Sequence, residues 1–363
     1  MKVSFDSQIF QLQKYGGISR YFTELISSIK SIDPKTEIRI GTKFVRNEYL
    51  ISLEEMGIKK SPWFIPMKIL LRLDSTRKIS VNVDLIHTTY YQREFLPKKL
   101  SIPNLITVHD MIPEDIGKFS PTDIHISDKA KFIENADGII CVSKFTKERL
   151  VSHFPGLGIP VSVIPLATNL PNCFPVNHDL SSVRSRNDNF IYIGPRGGYK
   201  NFQLLLFAAV RLRSLTNRRF KIVAIGGGKF SEEEKSQIVD LDLDGFVVQV
   251  EMDDFKLSQA YSTSRALIYP SMMEGFGIPQ IEAFSFGCAV ISSGLGALKE
   301  FDNGIALIFD AHSPEALANR MLETLNISSS AFSDLAGKAI DHSKNFSWAE
   351  TAQKTLDFYK IFV

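Results

Sequence analysis

Residues 269–293 read YPSMMEGFGIPQIEAFSFGCAVISS. An apolar run ends at Tyr269 and leads into a loop with two glycines, and Pro279 is well placed as the first residue of a helix. Gly287 is suited to end that helix, and a second apolar run follows it. A strand, loop, helix and strand in this order are typical of a parallel sheet with crossover helices.

The same alternation extends along the whole chain, so we predict an α/β protein built from doubly wound parallel sheets. In the first half the predicted strands are Lys2–Phe5, Glu37–Ile40, Leu85–Thr88, Leu105–His109, Gly138–Val142 and Val161–Ile164. The predicted helices there are Ile18–Ser28, Pro121–Glu134 and Thr146–Phe154. In the second half the predicted strands are Phe190–Gly194, Lys221–Ile225, Phe246–Val250, Ala266–Tyr269 and Ala289–Ser292. The predicted helices there are Phe202–Leu215, Ser231–Leu241, Leu257–Ser264, Pro279–Phe286 and Pro314–Leu325.

The alternation is interrupted once, between residues 166 and 189, by a stretch with Pro171, Pro175 and a polar run that is typical of a linker. A chain of 363 residues is also long for one hydrophobic core. We therefore expect two Rossmann-like domains, residues 1–170 and residues 186–345.

Composition excludes several classes of protein. A hydrophobic content of 44% is that of a globular protein, and a net charge of +2 does not favour nucleic acid as a partner. The three cysteines have no metal-ligand spacing, and their odd number argues against a disulfide framework. No signal peptide is visible, and no apolar run approaches the roughly 18 residues of a membrane span. We expect a cytoplasmic protein that is at most peripheral on a membrane.

The loop within residues 269–293 is a candidate phosphate site. Gly275 and Gly277 allow a ligand to approach the backbone, and the following helix start offers N–H groups and a positive dipole end. An ordinary tight turn explains the glycines equally well. Glu274 and Glu282 flank the loop, and about 12 Å would separate them along a helix. The two catalytic carboxyl groups of a retaining hydrolase are only roughly 5–5.5 Å apart, so a paired hydrolytic role is not favoured. One glutamate therefore suits a transferred sugar and the other a ribose.

Three further segments carry candidate site residues. Arg196 and Lys200 lie among glycines before a predicted helix, where cations would meet a diphosphate, although a solvated basic loop has the same composition. Gly16 and Gly17 precede another helix and could face a phosphate. His109 ends an apolar strand, where ligands bind in open α/β sheets, although a structural histidine is the commoner case.

Taken together, these segments resemble the retaining glycosyltransferases of the family-four type, which have the GT-B fold. The resemblance spans almost the whole chain. Its most specific part is the pair Glu274 and Glu282 with seven residues between them, where Glu274 belongs to Pro-Ser-x-x-Glu-Gly-Phe-Gly. The other matching segments are Val108-His109-Asp110, Val142-Ser143, Ile164-Pro165, Lys200-Asn201 and Phe346-Ser-Trp-Ala-Glu. The N-terminal stretch Gln13–Phe22 is similar to bacterial enzymes that build surface polysaccharides, often mannosyltransferases.

The resemblance implies two domains that face each other across a cleft, with residues 346–363 crossing back as a helix to the acceptor-binding first domain. It implies that Glu274 contacts the hexose of the donor and that Glu282 contacts the ribose. Arg196 and Lys200 would hold the diphosphate, with Gly16 and Gly17 near it. The donor-binding loop would comprise Gly275, Phe276 and Gly277, and His109 would lie beside the transferred sugar. The family's arginine commonly follows the first glycine of its loop directly, whereas Pro195 intervenes here.

The implied reaction is transfer of a hexose to a saccharide, with mannose from GDP-mannose and a lipid-linked polysaccharide or O-antigen as first candidates. A UDP-sugar donor and a sugar-nucleotide epimerase are the alternatives of the same fold. The resemblance implies no cofactor beyond the donor, and we expect no metal in the site.

Rival functions have weaker support in the residues. A dinucleotide-dependent oxidoreductase needs Gly-x-Gly-x-x-Gly, and neither glycine-rich loop has that spacing. Asp242-Leu-Asp244 offers the Asp-x-Asp of a metal-dependent transferase, but it precedes a strand, so we predict a solvated turn. A non-catalytic sugar-binding module is the rival from another class; Glu274, Glu282, Lys200 and His109 count against it, and turnover would decide between the two.

The window from Lys59 to Lys78 mixes cations with apolar and aromatic residues. We predict that its part Trp63–Leu73 contributes to attachment to an anionic membrane surface, while a buried helix with a basic edge is the alternative.

Overall fold

The computed structural model describes residues 1–41, 47–50, 53, 60–61, 82–95, 102–117, 124–170 and 186–363. The described chain divides into two units. The first unit comprises Met1–Leu166 with Ser347–Val363, and the second comprises Ala167–Phe346. The segment Trp63–Leu73 lies outside the described residues.

The first unit contains a parallel sheet of seven described strands. Its strands are β1 (Lys2–Phe5), β2 (Glu37–Gly41), β3 (Lys60–Ser61), β4 (Leu85–Thr88), β5 (Asn104–Val108), β6 (Gly138–Cys141) and β7 (Val161–Val163). They lie in the order β3-β2-β1-β4-β5-β6-β7. Every residue of β4, β5 and β6 is buried, as expected for central strands covered on both faces. The strand order reverses its direction between β1 and β4.

The described helices of the first unit are α1 (Gln8–Leu12), α2 (Gly17–Ile32), α3 (Ile112–Ile116), α4 (Ile124–Glu134), α5 (Lys144–His153) and the C-terminal α13 (Trp348–Tyr359). Helix α13 joins this unit through polar contacts as well as packing. The Thr351 hydroxyl donates to the Pro165 carbonyl at 2.9 Å, and the Tyr359 hydroxyl lies 2.5 Å from Nδ1 of the buried His87. The last helix is thus part of the first unit, although it follows the second unit in sequence.

The second unit contains a parallel sheet of six strands. They are β8 (Phe190–Ile193), β9 (Ile222–Ile225), β10 (Val247–Val250), β11 (Ala266–Tyr269), β12 (Ala289–Ser292) and β13 (Leu307–Ile308). Their order is β10-β9-β8-β11-β12-β13, so this sheet reverses between β8 and β11. The two sheets with their helices form the two Rossmann-like domains of the predicted GT-B fold.

The described helices of the second unit are α6 (Phe202–Leu215), α7 (Glu232–Asp240), α8 (Asp254–Thr263), α9 (Ile278–Ser285), α10 (Ala297–Glu300), α11 (Pro314–Asn326) and α12 (Ser329–Ser343). Side-chain caps define several of their first turns. Ser231 and Glu234 form a capping box at α7, and Ser313 caps α11.

Every strand predicted from the sequence is present, with its ends shifted by at most one residue. Helix α12 was missed for a physical reason. Its buried face is Phe332, Ala336, Ala339 and Ser343, so small residues replace the large apolar side chains that make a helical period visible. The small residues also permit close packing, because a Cβ on Gly287 would lie 3.1 Å from Cβ of Ala336.

The turn predicted at Asp242-Leu-Asp244 is confirmed. Asp242 has a φ of +54°, and its carboxylate accepts a 2.9 Å hydrogen bond from Arg213 ahead of β10. Within the described residues, no helix is long and apolar enough to cross a membrane.

Candidate functional site

Two loops of the second unit lie side by side where its strand order reverses. One follows β8 and the other follows β11. The Met272 amide donates to the Tyr199 carbonyl at 2.7 Å, and the Asn201 side chain donates to the carbonyls of Pro270 and Ala311. In open α/β sheets ligands bind at such a reversal, outside the carboxyl ends of the strands. The two candidate loops therefore form one candidate site.

An ion pair joins the two loops. Nζ of Lys200 lies 2.6 Å from Oε1 of Glu274, and their side chains are only 15% and 10% exposed. The Tyr269 hydroxyl also hydrogen-bonds to Glu274. Burial, and then the charge of Glu274, raises the pKa of Tyr269 well above its ordinary value, so the phenol stays a donor. Glu274 thus lies between a cation and a phenol, with its carboxylate held in one orientation.

The turn into α9 requires glycine at one position. Gly277 has a φ of +97°, and a Cβ there would lie 2.5 Å from Cδ2 of Leu298. The helix then begins at Ile278, with Pro279 as its second residue rather than its first. The backbone before α9 consequently carries little side-chain bulk, and the helix start presents its amide groups and positive dipole end there.

Glu282 is the fifth residue of α9 and is buried. The Tyr261 hydroxyl of α8 donates to its Oε2 at 2.9 Å. Burial, and then the charge of Glu282, raises the pKa of Tyr261 well above its ordinary value. The two glutamates therefore differ as the sequence suggested, since Glu274 lies in the loop before the helix and Glu282 within it.

The guanidinium of Arg196 is occupied by contacts within the protein. It donates to both carboxylate oxygens of Glu234 and to the carbonyls of residues 226–229, and it covers the Phe230 ring at 4.9 Å. Its side chain is 4% exposed. Arg196 thus holds the glycine-rich loop after β9 in place, and the diphosphate role expected for it stays a prediction.

Phe276 and Gly275 are buried parts of the β11 loop. The Phe276 ring packs 4.3 Å from Phe301 and 6.2 Å from Phe346, measured between ring centroids. Because its ring is engaged in this cluster, Phe276 would have to contact a nucleotide-sugar donor through its backbone.

The reversal in the first sheet lies between β1 and β4. Asp6 follows β1, is fully buried, and accepts hydrogen bonds from the Thr89 hydroxyl after β4 and from the Gln8 side chain. Burial raises the pKa of Asp6 despite these hydrogen bonds. The carboxyl group ties the two loops at this reversal together. Sequence reasoning missed it, although a polar residue directly after an apolar strand is the signal that singled out His109.

Gly16 and Gly17 lie at the start of α2, as the sequence predicted. A Cβ on Gly16 would lie 2.2 Å from Oε1 of Gln13, the atom that accepts a hydrogen bond from the Ser19 amide. A side chain at position 16 would therefore displace the Gln13 amide and its hydrogen bond to Ser19, while the proximity of Gly16 to a phosphate stays a prediction.

His109 directly follows β5 and packs edge-on against Tyr21, at 5.1 Å between ring centroids. Burial lowers its pKa to about 4, so the imidazole is neutral at pH 7. Its Nε2 is buried and has no hydrogen-bond partner among the residues described. The ring lines a cavity of about 130 Å³ together with Tyr90, Asp110 and Lys129.

Two tyrosines of the second unit, Tyr261 and Tyr269, hydrogen-bond to the candidate glutamates and were not anticipated. Tyr269 ends the quoted strand, so its position was visible in the sequence. Tyr261 lies on α8 and meets Glu282 only through the packing of α8 against α9, for which the sequence carries no local signal.

Two family models match this chain in succession. Residues 34–170 match the model described as Glycosyltransferase Family 4, and residues 179–339 match the model described as Glycosyl transferases group 1. The first match falls almost wholly in the first unit, and the second lies within the second unit.

Curated relatives and solved structures agree with these matches. The chain is 25% identical over 266 residues to an O-antigen chain mannosyltransferase B of Escherichia coli, covering 68% of each chain. It is 24% identical over 314 residues to a D-inositol 3-phosphate glycosyltransferase of Corynebacterium efficiens, covering 79% of this chain and 73% of the relative. The structure of Anabaena HepE in complex with UDP-glucose superposes with a TM-score of 0.73 at 17% identity, covering 99% of both chains.

Proposed function

The chain belongs to the glycosyltransferases of the family-four type with the GT-B fold, and from this premise we propose that it transfers mannose from GDP-mannose to a saccharide acceptor. The acceptor is a growing, lipid-linked bacterial polysaccharide or O-antigen. The similarity to an O-antigen chain mannosyltransferase supports the choice of sugar and acceptor.

The observation that carries the proposal is the Lys200–Glu274 pair at the reversal of the second sheet. A nucleotide-sugar donor has a dianionic diphosphate beside a neutral, hydroxyl-rich hexose. The ammonium of Lys200 suits the diphosphate, and it stabilises the negative charge that grows there as the bond to the sugar breaks. The carboxylate of Glu274 suits the hexose, because it accepts hydrogen bonds from hydroxyl groups but repels phosphate.

Glu282 binds the ribose in this proposal. Its carboxylate is buried one turn inside α9, and its Oε2 accepts a hydrogen bond from the Tyr261 hydroxyl. This hydrogen bond orients the carboxylate, whose remaining lone pairs can accept from the ribose. The diphosphate then lies at the start of α9, against the backbone of Gly275 and Gly277. By the family resemblance, the proposal also assigns Gly16 and Gly17 to the diphosphate and His109 to the transferred sugar.

We propose retention of the anomeric configuration without a metal ion. The family resemblance supports retention, with the departing diphosphate rather than a protein nucleophile assisting the acceptor. Lys200 and the dipole of α9 supply the positive field that a metal ion supplies in other transferases. Turnover in the presence of a chelator tests this part, and complete loss that added metal reverses would contradict it.

Donor identity is tested by thermal shift with GDP, UDP, GDP-mannose and UDP-glucose, because a ligand that binds only the folded state raises stability by mass action. We expect stabilisation by GDP and GDP-mannose, followed by mannosyl transfer that NMR shows to retain the α configuration. Stabilisation by the uridine compounds alone would assign a UDP-sugar donor instead. C2 inversion of the sugar without an acceptor would identify an epimerase.

The predicted membrane contact of Trp63–Leu73 belongs to the same proposal, because a lipid-linked acceptor lies at a membrane surface. Co-sedimentation with anionic and neutral liposomes tests it. Lys68→Glu with Arg72→Glu should abolish the preference for anionic lipid. Equal sedimentation of this variant and the parent chain would remove the membrane part and leave the transferase part standing.

A further inference from the structure

Asn201 directly follows Lys200 and precedes α6. Its backbone has a φ of +58° and a ψ of +34°, the left-handed region that asparagine and glycine enter most readily. An asparagine before a helix usually accepts a hydrogen bond from an amide of the first turn, but this side chain makes no such bond to α6. The side chain of Asn201 is therefore not used to cap the helix that it precedes.

The side-chain amide of Asn201 instead joins three loops of the second unit. It belongs to the β8 loop (residues 194–201), and its Nδ2 donates to the Pro270 carbonyl of the β11 loop at 3.3 Å. The same nitrogen donates to the Ala311 carbonyl, between β13 and α11, at 3.0 Å. Carbonyl oxygens only accept hydrogen bonds, so the nitrogen of the amide, and not its oxygen, must face both partners. Asn201 thus fastens the β8 loop to two neighbouring loops.

The β8 loop is also held by its own strand. The hydroxyl of the buried Tyr192 donates to the Pro195 carbonyl at 2.6 Å and lies 3.4 Å from the Lys200 carbonyl, so it contacts both ends of the loop. Burial, and then the charge of Glu274, raises the pKa of Tyr192 well above its ordinary value, so the phenol stays a donor. Tyr192 therefore fixes the shape of the β8 loop, whereas Asn201 fixes the loop to its neighbours.

Lys200 lies between two links that join the β8 loop to the β11 loop. On one side of it, the Tyr199 carbonyl accepts a 2.7 Å hydrogen bond from the Met272 amide, and on the other side Asn201 donates to the same loop. Glu274 lies two residues beyond Met272. The two links therefore set the separation between the backbones that carry Lys200 and Glu274. Because a lysine side chain is long and flexible, a fixed backbone limits the positions that its ammonium can take.

We propose that Asn201 is a positioning residue for glycosyl transfer, because its side-chain amide holds the β8 loop against the β11 loop and so places the ammonium of Lys200 relative to the carboxylate of Glu274. The inference rests on the proposed function, which assigns Lys200 to the diphosphate and Glu274 to the hexose. It adds a residue that acts through Lys200 rather than on the donor. Position 201 thus has two requirements, a left-handed backbone that glycine also satisfies and an amide donor that glycine lacks.

Asn201→Gly separates the two requirements, because it keeps the backbone conformation and removes the side-chain amide. Steady-state kinetics of the full chain should show kcat about tenfold lower with the donor KM changed less than about twofold, because a displaced ammonium stabilises less of the charge on the departing diphosphate. In a Lys200→Ala background, Asn201→Gly should change kcat by less than about twofold, since no ammonium is left to position.

A second measurement does not depend on transfer. The coupling between Lys200→Ala and Glu274→Ala in the free energy of unfolding reports how well the ion pair is formed. In the Asn201→Gly background this coupling should fall to about half of its parental value or less, because the two side chains are no longer held in register. Denaturant unfolding of the single and double variants in both backgrounds provides the coupling, and circular dichroism establishes that each variant is folded.

Asn303→Gly is the matched control, because Asn303 has a φ of +52° in an exposed turn of the same unit. The same substitution at the same backbone conformation should leave both kcat and the ion-pair coupling unchanged. Asn201→Asp is a second test variant. It keeps the size of the side chain and tolerates the left-handed backbone but has no N–H group to donate, so it should lower kcat at least as much as Asn201→Gly.

An equal loss of kcat from Asn201→Gly in the parent and Lys200→Ala backgrounds would overturn the proposal, as would an unchanged ion-pair coupling. Either result would mean that Asn201 contributes only to general stability. Failure of the proposed function has a different signature, because neither stabilisation by donors nor transfer would then be detected. The unfolding measurement would still decide whether Asn201 positions Lys200 against Glu274.

Discussion

The two sheet reversals of this protein have the same topology, but different side chains join their loops. At the β8/β11 reversal, the loops are joined by the Lys200–Glu274 ion pair and lead into the start of α9. At the β1/β4 reversal, the loops are joined by the buried Asp6, whose pKa burial raises. One fold has thus been built twice, and side chains at the strand ends decide what each copy can bind. The reversal in the second unit holds an ammonium group that our proposal assigns to a diphosphate, while the reversal in the first unit holds a buried carboxyl group.

The largest expected effect comes from removing the carboxylate of the second reversal. Glu274→Ala should lower kcat by about 10²–10³-fold, because contacts to a centre that becomes cationic strengthen in the transition state. Steady-state kinetics measure this, with Glu233→Ala on the exposed start of α7 as control. Normal kcat in Glu274→Ala would show that the hexose is bound elsewhere.

Removing the cation should have the next largest effect. Lys200→Ala should lower kcat/KM by roughly 10²-fold, since it removes positive charge from the diphosphate and leaves Glu274 without its partner. The double variant with Glu274→Ala should lose less than the product of the two single losses, because the groups act as a pair. Lys235→Ala, at an exposed pair on α7, is the control. Fully multiplicative losses would show that the pair has no joint role.

Glu282 should affect donor binding more than turnover. Glu282→Gln keeps the size of the side chain but removes the negative charge of its carboxylate. That carboxylate accepts a hydrogen bond from the Tyr261 hydroxyl and, in our proposal, from the ribose. We expect a loss of about 1–3 kcal/mol in donor affinity with a small change in kcat. Isothermal titration with GDP and steady-state kinetics separate the two. A strong loss of kcat with unchanged donor affinity would exchange the roles of the two glutamates.

Arg196 should affect stability more than chemistry, despite its place in the same loop as Lys200. Arg196→Lys keeps the charge but cannot reproduce the fork of hydrogen bonds to Glu234 and the carbonyls of residues 226–228. We expect the free energy of unfolding to fall by about 1–2 kcal/mol. GDP affinity should change less than in Lys200→Ala. A larger loss of GDP affinity than in Lys200→Ala would instead support Arg196 as a diphosphate ligand.

The effect that is smallest at pH 7 concerns the first unit, and it grows as the pH is lowered. Burial lowers the pKa of His87 to about 3, whereas the unfolded side chain titrates near 6.5. Between these values the unfolded state binds a proton that the folded state does not, so stability falls as the pH falls, by at most about 1.4 kcal/mol per pH unit. The contribution is fully present above pH 6.5.

Denaturation of the parent chain and of His87→Gln between pH 4 and pH 7.5 measures this contribution. The stability difference between the two proteins should shrink towards acid pH. A difference that does not vary with pH would show that His87 titrates normally in the folded state.

The sequence by itself determined the local structure of this protein. The alternation of apolar runs and helical patterns predicts every described strand except the two-residue β3 and β13, which are too short to show a period. The glycines and Pro279 locate the turn into α9, and the motif spacing places Glu274 before that helix and Glu282 within it. These features depend on residues close together in the chain, and backbone preferences act at that range.

Only the tertiary structure decided the partners of these residues. Lys200 and Glu274 are 74 positions apart, and His87 and Tyr359 are 272 apart. They meet because β8 pairs with β11, and because α13 returns to the first unit. The local pattern of a strand is the same whichever neighbour it pairs with. The arginine and lysine of one loop therefore had the same predicted role, while packing placed Arg196 against a glycine-rich loop and Lys200 against a glutamate.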